Sequence, residues 1–307
     1  MSLLSDEDEP LEDMDPALLI EQAAAAKESG DKATAAKLYN GAGNIYMSVA
    51  EYAEALDCFE KSLALYKETK DETGTSDAMY NLGVAQINLE RWDEAVKTCE
   101  IAMNMFEKLS NNEGAADAMY GLALAHLGKG SFEEAMEYFN KAQRAYKAAS
   151  NEQGVASTLM DIGNAYADKE DWESAEASFK KALKIYRDLD DKAGIADALS
   201  LLGDISETRN NQRKSAEYFV EAAQCYFEAE ILDIAREVVE RAEQKLWDVP
   251  KATRRRLRKV IDDIKDALPE EAEEPEEEGG DEEFDEESLD AEIEGGGFDD
   301  SDLDEKK

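Results

Sequence analysis

Small and large apolar residues recur along the chain with a fixed spacing of 40 residues. In units beginning at residues 36, 76, 116, 156 and 196, the eighth position is small and the twenty-fourth is a phenylalanine or a cysteine. The eighth positions are Gly43, Gly83, Ala123, Gly163 and Gly203, and the twenty-fourth are Phe59, Cys99, Phe139, Phe179 and Phe219. Small residues allow two helices to approach closely, and the bulky residue fills the groove beside them. The spacing predicts five helical hairpins within residues 36–235, at 36–75, 76–115, 116–155, 156–195 and 196–235, stacked so that neighbours cover each apolar face.

This pattern resembles the tetratricopeptide repeat family, in stretches such as YNLGVAQINLERWDEAVKTCEIAM and MDIGNAYADKEDWESAEASFKKAL. The resemblance covers about residues 30–230 and implies an all-α fold, a right-handed α-α superhelix (a TPR solenoid). The family unit has about 34 residues, so each 40-residue unit here carries extra residues. They are expected between the hairpins, around Gly74, Gly114, Gly154 and Gly194, and to lengthen the helices by about a turn in all.

The regions on either side of the repeats predict caps and tails. Asp15 as N-cap, Pro16 at the first helical position and Gly30 as the stop predict a capping helix and turn over 15–35. Two amphipathic helices are expected over 231–268, closing the other end of the array. Residues 1–14 and 269–307 are strongly acidic and poor in apolar residues, so both are expected to be disordered.

Charge narrows the choice of partners. The formal net charge is −40, of which residues 1–15 carry −7 and residues 269–307 carry −19. Such a field repels nucleic-acid phosphates and anionic membrane surfaces. A protein or peptide partner is therefore expected, basic in character and carrying hydrophobic anchors. The acidic tail suggests an alternative, an acidic chaperone or charge mimic that acts through residues 269–307.

Few residues could support chemistry. The single histidine, His126, occupies a repeat position that holds tyrosine in other units, which indicates a packing role. Cys58, Cys99 and Cys225 lack metal-ligand spacing and fit reduced thiols in the cytoplasm. No catalytic constellation can be assembled around these residues, so the sequence predicts no enzyme, no cofactor and no metal. Neither a secretory leader nor a membrane-spanning run is expected.

The family resemblance also implies a binding groove. In that family the first helix of each hairpin lines a concave surface, apolar and aromatic here in the middle and acidic toward its C-terminal end. The candidate groove residues are Asn44, Asp77, Tyr80, Asn81, Val84, Asp117, Tyr120, Leu124, Met160, Asn164, Asp197 and Asp204, with Lys37, Asn40 and Glu207 beside them. This composition suits an extended or helical peptide. For each residue the alternative of a solvated face or an inter-repeat contact stays open.

Some members of the family hold a C-terminal carboxylate with two asparagines and several basic side chains. Asn44 and Asn81 match the asparagines, but the basic positions are Asn40, Asp117 and Gly121 here. Carboxylate capture is therefore not expected.

One basic cluster stands out in this acidic chain, in the stretch KATRRRLRK. Its members are Lys251, Arg254, Arg255, Arg256, Arg258 and Lys259. A nuclear-localisation or nucleic-acid role is possible for such a cluster, but the acidic flanks favour an internal counter-charge or a docking site for an acidic partner. The favoured function is a non-enzymatic scaffold or adaptor. A faint resemblance of residues 31–46 to the attachment-protein adaptors of membrane fusion is a further alternative, and the oligomeric state is left open.

Overall fold

The computed structural model describes residues 14–269, which form α-helices joined by short turns. No strand occurs within this range. The helices are α1 (Pro16–Glu28), α2 (Lys32–Ser48), α3 (Tyr52–Thr69), α4 (Glu72–Asn88), α5 (Trp92–Lys108), α6 (Asn112–Gly128), α7 (Phe132–Ala148), α8 (Glu152–Asp168), α9 (Trp172–Leu189), α10 (Lys192–Thr208), α11 (Gln212–Glu228), α12 (Leu232–Lys245) and α13 (Lys251–Ala267), with a 3-10 turn at Leu246–Asp248 between the last two. The expectations for residues 1–13 and 270–307 lie outside the described residues.

Helices α2 to α11 form five antiparallel hairpins that stack in a 40-residue cadence. The first helices of the hairpins begin at residues 32, 72, 112, 152 and 192, four residues before the predicted units. Residues near Gly74 were expected between hairpins, but they form the first turn of α4. The Asp71 carboxylate accepts the Gly74 backbone N–H at 2.9 Å and caps this helix. The extra residues therefore lengthen the helices, and the predicted all-α solenoid is confirmed.

The recurring small and aromatic residues meet inside each hairpin. A Cβ atom added to Gly163 would lie 2.4 Å from Cε1 of Phe179, so only glycine allows this approach of α8 and α9 as they stand. A Cβ atom on Gly194 would lie 2.5 Å from the Tyr186 ring, which closes the junction between successive hairpins in the same way. The ring of Phe179 is fully buried. Ring-over-glycine contacts thus fix the helix spacing both within and between hairpins.

The turns repeat as regularly as the helices. A residue with positive φ ends a helix every 20 residues, from Gly30 to Glu230, and only Gly30 and Gly130 of this series are glycines. The other turn residues are Ala50, Lys70, Glu90, Ser110, Ser150, Glu170, Asp190, Asn210 and Glu230, with φ between 55° and 61°. The backbone N–H of the residue after each turn residue closes the helix end, as in Arg91 N–H to Gln86 O at 2.8 Å.

Helices outside the five hairpins cover both ends of the stack. Helix α1 begins at Pro16, and the Asp15 carboxylate accepts the Ala17 N–H at 2.9 Å. Helix α12 keeps the cadence, since it begins 200 residues after α2. Helix α13 leaves it after Pro250 and buries one apolar face against α11 and α12. The buried residues of that face are Leu257, Ile261 and Ile264.

Candidate functional site

The twelve candidate groove residues lie on the first helices α2, α4, α6, α8 and α10. Side chains from neighbouring first helices meet at a sequence separation of 41 residues, as Asn81 does with Asn40 and Tyr120 with Asp161. These contacts place one face of each first helix beside the same face of the next. We call this face the first-helix strip, defined by the twelve candidates together with Asp161.

Amide side chains form the N-terminal end of the first-helix strip. The Asn81 Nδ2 donates to Asn40 Oδ1 at 3.2 Å and lies 3.4 Å from Asn44 Oδ1. A cavity of about 560 Å³ adjoins them. It is lined by Lys37, Asn40, Gly41, Asn44, Ile45, Ser48 and Tyr66. Apart from Lys37, this end of the strip is uncharged.

Two half-buried carboxylates mark the centre of the strip. The Tyr146 hydroxyl donates to Asp117 at 2.6 Å, and the Tyr120 hydroxyl donates to Asp161, which also bonds to Asn164. Burial raises the pKa of Asp117 and of Asp161 above the usual value, although these hydrogen bonds oppose the shift. Both carboxylates are therefore poorly solvated anions near neutral pH.

Aromatic and aliphatic side chains surround these carboxylates. The Tyr80 ring meets Phe106 edge-on, with centroids 6.5 Å apart, and the Tyr120 ring lies 6.0 Å from that of Phe139. Burial is the main cause that raises the pKa of both tyrosines, so the rings are largely packed. Half-buried aliphatic side chains continue the surface, at Val84, Leu124 and Met160. The middle of the strip is thus apolar and aromatic.

The C-terminal end of the strip differs from the expectation of an open acidic surface. Arg241 of α12 pairs with Asp204, and its guanidinium lies 4.3 Å above the Phe219 ring. Lys245, one turn further along α12, pairs in the same way with Glu207. Asp197 stays exposed and accepts the Tyr226 hydroxyl at 2.6 Å. Two of the expected acidic positions are therefore already neutralised within the molecule.

The repeats match a family model at the level of sequence. The model described as tetratricopeptide repeat matches residues 33–87, 76–148 and 154–226, more than half of the chain. The chain belongs to the tetratricopeptide repeat family. No curated protein matches the sequence significantly.

Solved structures of helical-repeat proteins resemble this tetratricopeptide array. BtubC (BKLC) from P. vanneervenii has a TM-score of 0.50 and 18% identity, covering 75% of this chain and 87% of its own. Aspartyl phosphate phosphatase F from Bacillus subtilis has a TM-score of 0.51 and 13% identity, covering 75% and 68%. The Rap conjugation gene regulator of the plasmid pLS20, in complex with the Phr* peptide, has a TM-score of 0.50 and 16% identity, covering 79% and 77%. At these identities the likeness shows the fold alone.

The basic cluster divides into two parts in this tetratricopeptide protein. Arg254 donates to the carbonyl oxygens of Trp247 at 2.8 Å and Val249 at 3.0 Å, so it fixes the turn before α13. Arg256 lies 3.3 Å from the carboxylate of Glu217 on α11. The other cations of the cluster are exposed on α13, at Lys251, Arg255, Arg258 and Lys259.

Residues singled out for other chemistry have packing roles. The His126 ring stacks on Tyr138 at 5.4 Å with an angle of 11° between the planes. Burial raises the pKa of the Cys99 thiol to about 12 and is also the main cause that raises that of Cys58 to about 11. Within residues 14–269 no group of histidine, cysteine and acidic side chains is arranged to hold a metal. None of the described helices combines the length and apolarity that crossing a membrane requires.

Proposed function

We propose that the protein is a non-enzymatic adaptor whose first-helix strip binds a peptide segment of a protein partner. The observation that carries the proposal is the pair of half-buried carboxylates, Asp117 and Asp161, held by tyrosine hydroxyls between apolar side chains. A peptide with a lysine or arginine beside an apolar residue is complementary to this surface.

The energetics favour a cationic ligand at the centre of the strip. A carboxylate that burial has partly stripped of water gains more from a nearby cation than an exposed one does, because the local dielectric is lower. Raised pKa values at Asp117 and Asp161 report this loss of solvation. An arginine or lysine of the ligand would offset it, while Leu124 and Met160 offer contact to an apolar anchor.

The fold and a neighbour of known composition are consistent with this mode of binding. Arrays of stacked helical hairpins present extended surfaces that suit linear segments of other proteins. The pLS20 regulator, which shares the fold, was solved in complex with the Phr* peptide. We extend peptide binding to this chain as part of the proposal, together with a cytoplasmic location that suits its free thiols.

A peptide-display selection on the full chain tests the proposal. Peptides enriched by the wild-type protein should combine a lysine or arginine with an apolar residue, and their affinity should fall as salt rises, since charges are screened beyond about 8 Å at physiological ionic strength. An Asp117→Asn/Asp161→Asn variant, which keeps the shape of the site, should bind them about tenfold more weakly or worse.

The matched control is Glu133→Gln, which removes one exposed carboxylate from α7, outside the strip. It should leave peptide affinity unchanged. A Tyr80→Ala/Tyr120→Ala variant then tests the aromatic part of the strip. Enriched peptides without cations, or equal binding by wild type and the double Asp→Asn variant, would refute the cationic assignment.

The alternative of an acidic chaperone acting through residues 269–307 rests on sequence that lies, apart from Pro269, outside the described residues. A variant lacking that segment separates the two ideas. Peptide binding retained by the shortened chain supports the first-helix strip, whereas loss of client protection with peptide binding intact favours the tail. The resemblance of residues 31–46 to membrane-fusion adaptors remains a sequence-based hypothesis.

A further inference from the structure

A second surface of opposite chemistry lies between α11 and α13, away from the first-helix strip. A cavity of about 630 Å³ opens there, and α11 and α13 supply all of its lining residues. Its lining combines Arg213, Lys214, Glu217, Tyr218, Val220, Glu221 and Gln224 of α11 with Thr253, Arg256, Leu257 and Val260 of α13. We call it the α11–α13 cleft.

The cleft exists because α13 departs from the repeat. The second helix of a regular unit places alanine and phenylalanine at the two positions that face its partner, and α13 has Arg255 and Lys259 there instead. Helix α13 therefore lies against α11 through a different face, with Leu257 and Ile261 buried. The two helices meet along this apolar seam and leave an open trough beside it.

The cleft is positively charged in a chain whose net charge is −40. Two guanidinium groups, those of Arg213 and Arg256, share a single oxygen of Glu217, each at 3.3 Å. Glu221, the other acidic lining residue, is engaged by Arg187 of α9. Lys214 adds a further cation at the rim, so three cations of the lining face two carboxylates that arginines already hold.

The floor of the cleft is apolar. Val220 and Leu257 are buried there, while Val260 and the Tyr218 ring are half-buried. Cations around an apolar floor are complementary to a peptide that carries carboxylates beside a leucine or phenylalanine. A nucleic acid fits less well, because the rest of the molecule would repel its phosphates.

We infer that the α11–α13 cleft is a docking site for an acidic peptide segment of a protein partner, with an apolar side chain seated on Val220, Leu257 and Val260. This site is separate from the first-helix strip and takes a ligand of the opposite charge. The protein would then bridge two partners, one basic and one acidic.

Fluorescence anisotropy with a labelled peptide of about ten residues tests the inference. The probe is rich in glutamate with one leucine and one phenylalanine, and a second probe replaces each glutamate by lysine. The full chain should bind the acidic probe and not the lysine probe, and the affinity should fall severalfold as salt is raised from low to physiological strength. Lys214→Glu/Arg256→Glu should weaken binding about tenfold or more.

Arg255→Glu is the matched control, because it reverses one charge on the exposed face of α13 outside the cleft. It should leave the affinity close to that of wild type. Val260→Asp, which places a carboxylate on the floor, should weaken binding of the acidic probe without changing helicity measured by circular dichroism. Equal weakening by Arg255→Glu and by the cleft variants would reduce the effect to general electrostatics and overturn the site.

Two further arms separate other occupants. A single-stranded RNA oligonucleotide that binds as tightly as the acidic peptide would overturn the choice of a peptide. A chain ending at Pro269 is titrated beside the full chain to remove its own acidic residues 270–307 as competitors. Equal affinity in both supports a partner segment, whereas binding seen only in the shortened chain would overturn it in favour of the chain's own segment.

Discussion

Replacing Gly163 by alanine tests whether ring-over-glycine contacts set the helix spacing. The new Cβ atom would lie 2.4, 2.6 and 2.8 Å from three carbons of the Phe179 ring, about 1 Å closer than ordinary van der Waals contact. The ring is fully buried and cannot retreat toward solvent. Either the ring leaves its rotamer or α8 and α9 move apart, and overpacking of this kind costs about 1–3 kcal/mol.

Helix propensity works in the opposite direction and must be subtracted. Alanine is favoured over glycine within a helix by about 1 kcal/mol. With three ring atoms in overlap, the packing cost belongs at the upper end of its range, so we expect the Gly163→Ala variant to lose about 2 kcal/mol of unfolding free energy. Urea denaturation followed by circular dichroism at 222 nm measures this loss.

Gly121→Ala is a matched control on another first helix. Its Cβ atom would meet Cys99 Sγ at 3.2 Å and Ile87 at 3.7 Å, so a shift of a few tenths of an ångström accommodates it. This variant should be neutral or stabilised by up to about 1 kcal/mol. Because Ala123 already stands opposite Phe139 in the third unit, each hairpin is expected to have its own spacing. Equal stability changes at Gly121 and Gly163 would show that the rings do not set that spacing.

Three further predictions follow from charges and thiols. Burial raises the pKa of Asp161 in the folded state, so wild-type stability should fall as pH rises from the unfolded pKa through the folded one, and Asp161→Asn should gain stability over wild type between pH 4 and pH 7 in urea titrations; an unchanged difference would contradict this. Arg241→Ala should lose about 1–2 kcal/mol by removing the pair with Asp204 and the contact with an aromatic ring, and full stability at low salt would count against it. Iodoacetamide at pH 8 should label half-buried Cys225 faster than buried Cys99, whose pKa burial raises to about 12, as read by mass spectrometry of tryptic peptides; equal rates would contradict the packing.

The fold is largely predictable from the sequence, because its determining contacts are local and repeated. Gly163 and Phe179 lie 16 residues apart within one hairpin, and equivalent pairs recur every 40 residues. The placement of Gly74 was harder to predict. A glycine three residues after an aspartate is typical of a turn, but it also fits the first turn of a capped helix. The Tyr66 ring, which packs on Gly74, makes the helical alternative the observed one.

The candidate site is less predictable, because its charges depend on contacts between distant residues. Asp204 and Arg241 are 37 residues apart, and Arg241 lies on a helix beyond the five units, so the repeat pattern gives no indication of the pair. Asp161 was missed for another reason, since the sixth position of the units varies freely. The residues there are Gly41, Asn81, Gly121, Asp161 and Leu201. Asn81, a predicted site residue at that position, was the one signal that could have found Asp161.

The even 20-residue interval between left-handed turns means that joints within and between hairpins are interchangeable in length. A gene could therefore gain or lose one 40-residue block without shifting the phase of the blocks on either side. Every ring would still meet its glycine, and the first-helix strip would simply become one step longer or shorter. The reach of the protein along a partner is thus a property that duplication can adjust, independently of the residues that give each step its affinity.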